Sequence, residues 1–229
     1  MAETLSELTC GYCKKTFKRA ESLVVHMCEP KRRRLDRSER GVELGFQSYL
    51  RFYEIAQAGK RVKTYDEFCE SPYYRAFVKF GRYCVATKSV NPRQFTEWLL
   101  KHNKKIDRWA SDQVYTEYLL DYLKVEAVDD ALARSVEYSI DWAEKNSAPA
   151  HDCLRYGNSN ALCYAITAGR VSPWVIYNSE SGQKFLGELS SEQVAMIWSY
   201  IDSDVWQRRF ADRPEDAEYA KQILKQAGW

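Results

Sequence analysis

The segment CGYCKKTFKRAESLVVHMC, residues 10–28, dictates the structure near the start of the chain. Cys10 and Cys13 have two residues between them, so a tight turn can direct both thiolates at one metal ion. Twelve residues lie between Cys13 and His26, enough for a short helix that returns the imidazole to the same point. This spacing therefore predicts a metal site that holds a small folded unit together.

The apolar residues of the segment complete a known pattern. Phe17 follows Cys13 after three residues, and Leu23 follows Phe17 after five. With Cys10 and His26, these positions resemble the ββα zinc finger family, in which the metal and a minute apolar core fold a unit too small to fold alone. The resemblance implies zinc as the bound metal.

The fourth ligand departs from that family. A second His is expected after three to five further residues, and positions 30–32 hold none. Cys28 is the nearest candidate, but residues two apart do not share a helix face, so the helix must loosen near His26. Pro30 fits this expectation because it disfavours helix at Glu29. The alternative is a metal-free turn with free thiols. The predicted zinc ligands are Cys10, Cys13, His26 and Cys28.

The composition indicates a folded protein from a reducing compartment. Hydrophobic residues make up 45% of the chain and aromatic residues 14%, too much for a disordered protein. The sequence shows neither an apolar run of about 18 residues nor a secretion signal, which predicts a soluble, cytoplasmic protein with no membrane partner. The cysteines outside the predicted zinc site follow no pattern and are expected to be buried free thiols. They are Cys69, Cys84, Cys153 and Cys163.

The basic residues concentrate at the start of the chain. Residues 1–40 carry ten Lys and Arg against six Asp and Glu, and residues 41–229 carry 24 against 26. The run after the finger predicts an arm that contacts phosphates, and a solvated linker is the alternative. Its residues are Lys31, Arg32, Arg33, Arg34 and Arg37. A second basic surface, or simply a solvated helix face, is expected on the helical body. Its residues are Tyr73, Tyr74, Arg75, Lys79, Arg82 and Lys88, followed by Lys101, His102, Lys104, Lys105 and Arg108.

The finger itself offers a limited surface for reading bases. In a finger that enters the major groove, the base-facing positions would be Arg19, Ser22 and Val25, of which Arg19 suits guanine. One finger covers about three base pairs, too few for specificity by itself. The finger is therefore expected to contact either phosphates or a protein. The charge of the region favours nucleic acid, and DNA rather than RNA.

The residues after position 40 predict an all-helical body. Capping boxes begin at Thr64 and Ser190, apolar residues recur at helical spacing, and almost no segment alternates at period two. The predicted fold class is mainly α, with a small ββα finger followed by two helical subdomains. A stretch rich in Asn, Ser and Gly at 146–160 suggests the boundary between them. The predicted domains are the finger at 1–30, a basic linker at 31–40, and subdomains at 41–146 and 147–229.

No arrangement of residues typical of an enzyme is evident. Gly-rich phosphate loops and the common hydrolase and metalloprotease motifs are missing. His151, Asp152 and Cys153 are adjacent in sequence, but such close neighbours on a loop seldom form a working nucleophile and base. The sequence therefore predicts a protein that is not an enzyme.

The order of helices in the body resembles the T4-type bacteriophage helicase loaders. The likeness lies in FQSYLRFYEIAQAGKRVKTYDEF at 46–68, the helices at 91–123, and AITAGRVSPWVIYNSESG at 165–182. Members of that family are small all-helical proteins that bind forked DNA and bring the replicative helicase onto a strand. The resemblance implies a phage protein of DNA replication.

Two functions follow as hypotheses. The first is a zinc-binding, DNA-associated accessory protein of a tailed phage that acts in replication, recombination or transcription, with a replication or transcription protein as a further partner. The second is a protein interaction or virion module in which zinc attaches the finger to a partner. Phage origin would place the protein in the cytoplasm of an infected bacterium.

Overall fold

The computed structural model describes residues 8–56 and 61–229 of the chain. Residues 1–7 of the predicted finger lie outside this described part. The fold is mainly α-helical with one small sheet near the start of the described chain, which confirms the predicted fold class. The chain divides after Ala110 into two compact units, 1–110 and 111–229. The stretch 146–160, where the sequence predicted a subdomain boundary, lies within the second unit and holds short helical segments.

The first unit begins with the finger and continues with helices. Its strands are β1 (Leu8–Thr9) and β2 (Thr16–Phe17), which pair antiparallel. Its helices are α1 (Ala20–Val24), α2 (Glu29–Leu35), α3 (Arg40–Ala56), α4 (Tyr65–Glu70), α5 (Tyr74–Ala86) and α6 (Pro92–Lys101). Short 3₁₀ turns span Asp36–Ser38 and Ile106–Arg108.

Helices α3 and α5 are the centre of the first unit, and glycine lets their backbones touch. A Cβ atom at Gly81 of α5 would collide with the backbone carbonyl of Gly41 in α3. A Cβ at Gly45 would lie 2.6 Å from the carbonyl oxygen of Phe77. Close helix approach of this kind requires a residue without a side chain, so these glycines set how α3 and α5 pack.

An aromatic core fills the space beside this helix pair. Phe77 lies at its middle and is fully buried. Its ring is edge-on to Tyr49 at 5.5 Å and to Trp109 at 5.6 Å between centroids. Phe80 also contacts Trp109, with 5.4 Å between ring centroids. Edge-to-face pairs of this kind are favourable, and Tyr49, Tyr74 and Trp109 are the buried Tyr and Trp residues of the described part of this unit.

The second unit is entirely helical in the described chain. Its longer helices are α7 (Asp112–Leu123) and α8 (Val128–Asn146). The shorter ones are α9 (Cys153–Tyr156), α10 (Ser159–Thr167), α11 (Pro173–Asn178), α12 (Glu180–Gly187), α13 (Ser191–Ile201), α14 (Ser203–Asp212) and α15 (Pro214–Gln226). Among the described residues, no helix combines the length and apolar content that a membrane span requires.

The predicted helix starts are confirmed where the signal is local. Thr64 and Glu67 exchange hydrogen bonds at the start of α4, and Ser190 and Gln193 do so at the start of α13. These capping boxes satisfy backbone N–H groups that the first turn of a helix leaves without partners.

A buried charge network ties the second unit together. The Glu126 carboxylate, whose side chain is fully buried, accepts hydrogen bonds from Arg134 at 2.7 Å and from the Ser172 hydroxyl at 2.8 Å. Arg209 donates to the backbone carbonyl of Glu126 at 2.6 Å. The side chain of Arg209 also lies against the ring of Trp174, 5.3 Å from its centroid. The network joins the α7–α8 connection to α11 and α14, and burial raises the pKa of Glu126.

Candidate metal centre and basic surface

The first two ligands sit on the turn of the small hairpin. Strands β1 and β2 pair Leu8 with Phe17, and the chain between them turns tightly. The backbone N–H of Cys10 donates to Lys15, and that of Lys14 donates back to Cys10, both at 2.9 Å. Lys14 has a left-handed φ of 61°, which closes the turn. The turn brings the side chains of the predicted C-x-x-C pair together.

The last two ligands lie between two helices. Helix α1 ends at Val24, and the backbone N–H of His26 bonds to the Leu23 carbonyl at 3.2 Å. Cys28 is extended (φ −88°, ψ 162°) and is the N-cap residue of α2. The expected loosening of the helix near His26 is therefore confirmed, and it lets both side chains reach the same point.

The expectation about Pro30 is wrong. Pro30 lies in the first turn of α2, and Glu29, which it was expected to keep out of helix, is the first residue of that helix. A proline near a helix start costs no hydrogen bond, since N–H groups there have no partner within the helix. Residues 31–35 of the basic segment are therefore helical, and the residues that follow, Asp36–Ser38, form a 3₁₀ turn.

The four predicted ligands form one cluster. One ligand atom from each of Cys10, Cys13, His26 and Cys28 lies within 4.8 Å of the others. The Cys10 and Cys28 sulfurs are 3.9 Å apart, and the Cys13 sulfur is 3.2 Å from Nε2 of His26. Tetrahedral zinc with bonds of about 2.3 Å to sulfur and about 2.0 Å to nitrogen requires separations of roughly 3.5–3.8 Å. The donor set is compatible with zinc, and these two separations differ from the tetrahedral values by a few tenths of an ångström.

The surroundings of the cluster favour a deprotonated Cys10 and a fixed imidazole. Hydrogen bonds from the backbone N–H groups of Cys13 and Tyr12 lower the pKa of the Cys10 thiol to about 7. The His26 ring packs against Phe17, with 4.7 Å between centroids. All four donors come from the protein, as in structural zinc sites, where no position is left open for a substrate.

The other cysteines behave as expected. All four are free and buried, away from the metal cluster. Burial raises the pKa of Cys84 to about 12 and that of Cys153 to about 11. These thiols therefore stay protonated at neutral pH and act as small apolar core residues.

Two of the predicted arm residues form contacts within the first unit. The Arg34 guanidinium binds Asp66 at 2.8 Å and Glu70 at 2.9 Å, both on α4. Arg33 donates to the Cys69 carbonyl at 2.7 Å and lies over the ring of Tyr74. These contacts attach α2 to α4 and α5, so the segment is a docked helix.

The remaining predicted cations form fewer contacts within the unit, and Lys31 is half-buried like Arg33 and Arg34. Lys31 donates to the His26 carbonyl at 3.3 Å, next to the metal ligands. Arg37 lies over the ring of Tyr65, with 5.1 Å to the centroid. Arg32 is exposed. Arg19 is the exposed N-cap residue of α1, whose length of five residues leaves both Arg19 and Val25 flanking the helix.

The division into units reveals a strong separation of charge. Residues 1–110 carry 23 Lys and Arg against 13 Asp and Glu, a formal net charge of +10. Residues 111–229 carry 11 against 19, a net charge of −8. The overall charge of +2 conceals this contrast. The sequence revealed only the smaller asymmetry of its first forty residues, because the boundary between the units carries no composition signal.

No protein-family model, no curated protein and no solved structure matches the chain. The Cys and His cluster with its hairpin and helix is consistent with a zinc finger. This interpretation rests on the geometry of this chain alone.

Proposed function

We propose that this chain is a non-enzymatic, zinc-binding accessory protein that binds DNA through residues 1–110. The observation that carries the proposal is the net charge of +10 on that unit, compared with a net charge of −8 on residues 111–229. A protein surface that neutralises phosphates releases condensed counterions, and this release supplies most of the affinity of non-specific binding. A cationic unit of this size suits a polyanion, and the acidic unit does not.

Zinc has a structural role in this proposal. The cluster supplies four protein ligands, and α1 buries no residue, so the finger depends on the metal for its fold. Cys28 is both a ligand and the N-cap of α2, so zinc also fixes the beginning of the helix that carries the basic run. Arg19, Lys31, Arg32 and Arg37 are the proposed phosphate contacts. Arg33 and Arg34 mainly hold α2 in place.

The biological role proposed is DNA replication, recombination or transcription in a tailed phage, in the manner of the helicase loaders that the helical body resembles. The acidic second unit would then contact a basic surface of a replication or transcription protein.

The test is fluorescence anisotropy of the full-length protein with single-stranded, duplex and forked DNA, and matching RNA, at several salt concentrations. We expect binding at low salt that weakens steeply as salt rises, because each phosphate contact contributes about 0.7–0.9 to the log–log slope. A preference for the fork would support the loader role. Absence of binding to every nucleic acid at low salt would refute the proposal.

A second candidate function is protein attachment through the finger. Val24 and Val25 are 75% and 79% exposed, and Met27 is 49% exposed, which is an apolar surface unusual for a phosphate-binding element. In this case the finger would anchor the chain to a protein or a virion component. In a pull-down, the unmodified protein would then retain the partner and the Val25→Asp variant would lose it. Nucleic-acid binding would be absent or insensitive to salt.

A further inference from the structure

Two basic sets that are distant in sequence line one groove of the first unit. The groove lies between α2 and α5 and has a volume of about 680 Å³. Its walls carry five cations, Arg32, Arg33, Arg75, Lys79 and Arg82. Only two carboxylates, Glu29 and Asp36, line it with them. The groove is therefore the place where α2 meets the first part of the second basic set, and the later lysines of that set do not line it.

Acidic residues of the chain already bind three of these cations. Glu29 accepts hydrogen bonds from Arg33 at 2.6 Å and from Arg75 at 2.8 Å, and these bonds lower its pKa to about 2. Glu39, at the end of the 3₁₀ turn, binds Arg82 through both carboxylate oxygens. The carboxylates show that the groove geometry suits an anionic group held by guanidinium forks.

Arg32 and Lys79 have no such partner. Both are exposed, and no hydrogen bond or ion pair joins either side chain to another residue in the described part of the chain. They lie on opposite walls, one on α2 and one on α5. Two cations that face one open groove repel each other weakly in water, and an anion between them removes that repulsion.

We propose that the α2–α5 groove binds the phosphate groups of a nucleic-acid backbone, with Arg32 and Lys79 as the direct contacts. The inference rests on the proposed function and assigns its site. A polyanion fits better than a small phosphorylated molecule, because the groove is open and charged and has few apolar walls to enclose a ligand. Arg75 is 78% exposed at its side chain and extends the cationic surface along α5.

The groove also depends on the metal centre. Glu29 follows the ligand Cys28 directly and holds Arg75 of the opposite wall. Zinc thus fixes the position of the residue that bridges the two walls. Loss of zinc is expected to weaken binding through the groove even though no groove cation is a zinc ligand.

The experiment compares two double variants that each remove two positive charges from the first unit. Arg32→Ala with Lys79→Ala removes the groove contacts. Lys101→Ala with Lys105→Ala is the control, because both lysines are exposed and line no part of the groove. Binding of fluorescein-labelled single-stranded and duplex DNA to the zinc-loaded full-length protein is measured by anisotropy from 25 to 200 mM salt. Circular dichroism and the bound-zinc content verify that each variant folds.

We expect the groove variant to lose about tenfold in affinity at low salt and about 1.4–1.8 in salt slope, which corresponds to two phosphate contacts. The control should change affinity less than threefold and keep its slope. Equal losses in both variants would refute the groove and leave DNA binding by the whole unit. Absence of binding by the unmodified protein would refute the proposed function as well.

Discussion

The fourth zinc ligand gives the sharpest test of the metal centre. Cys28 replaces the second His of the zinc finger pattern, and the structure places its sulfur 3.9 Å from that of Cys10. We expect Cys28→Ser to weaken metal binding strongly without unfolding the helices that follow. The four bonds of a structural zinc site contribute about 10–16 kcal/mol, so one ligand contributes about 3–4 kcal/mol. This corresponds to a loss of about 100-fold to 1000-fold in affinity.

Cobalt(II) supplies the assay because it takes the place of zinc in tetrahedral sites and has visible absorption. Titration in competition with a chelator yields the affinity, and the thiolate-to-cobalt band reports the number of sulfur ligands. With Cys28 as a ligand, the band should fall by about one third, since two thiolates remain of three. Cys69→Ala is the matched control, because Cys69 is buried in α4 and outside the cluster.

An unchanged cobalt affinity and an unchanged thiolate band in Cys28→Ser would show that Cys28 is not a ligand. The N-cap position of Cys28 would then have no relation to the metal, and the proposed link between zinc and α2 would fail. A loss of equal size in Cys69→Ala would show that the effect arises from general destabilisation.

Three further predictions concern the packing and protonation of the chain. Gly81→Ala should destabilise the first unit by about 2–3 kcal/mol in urea unfolding, since the added Cβ meets the backbone of α3. Gly187→Ala should have almost no effect, because no atom lies within 4 Å of the Cβ that it adds. Arg134→Met should lower the free energy of unfolding by about 3–5 kcal/mol, because it leaves the buried Glu126 carboxylate without its charge partner. Adding Glu126→Gln should restore most of this loss. A double variant whose two effects simply add would contradict this network. Zinc affinity should fall steadily from about pH 8 to pH 5, because protons compete with zinc for the thiolates of Cys10, whose pKa is about 7, and of Cys13, whose pKa is raised above its usual value; an affinity independent of pH over this range would contradict thiolate ligation.

The metal ligands were predictable because the signal is local. Donors at a fixed spacing around a turn and a short helix leave few alternatives, and all four predicted side chains meet within 4.8 Å. The capping boxes at Thr64 and Ser190 were predictable for the same reason, since each depends on residues three apart. Pro30 shows the limit of such signals. A proline can either end one helix or begin the next. Which of the two occurs here depends on the position of α4, the helix against which α2 packs.

The sequence by itself determined the cluster of three Cys and one His, the mainly helical fold and the helix starts at Thr64 and Ser190, because each follows from chemistry within a few residues. The tertiary structure decided which basic side chains are free to contact another molecule. Arg34 is bound by Asp66 and Glu70, some thirty residues away, while Arg32 beside it stays exposed. It also brought Arg32 and Lys79 to one groove through the glycine contact of α3 and α5 and the docking of α2. Electrostatic surfaces depend on distances between residues remote in sequence, and only the packed chain sets those distances.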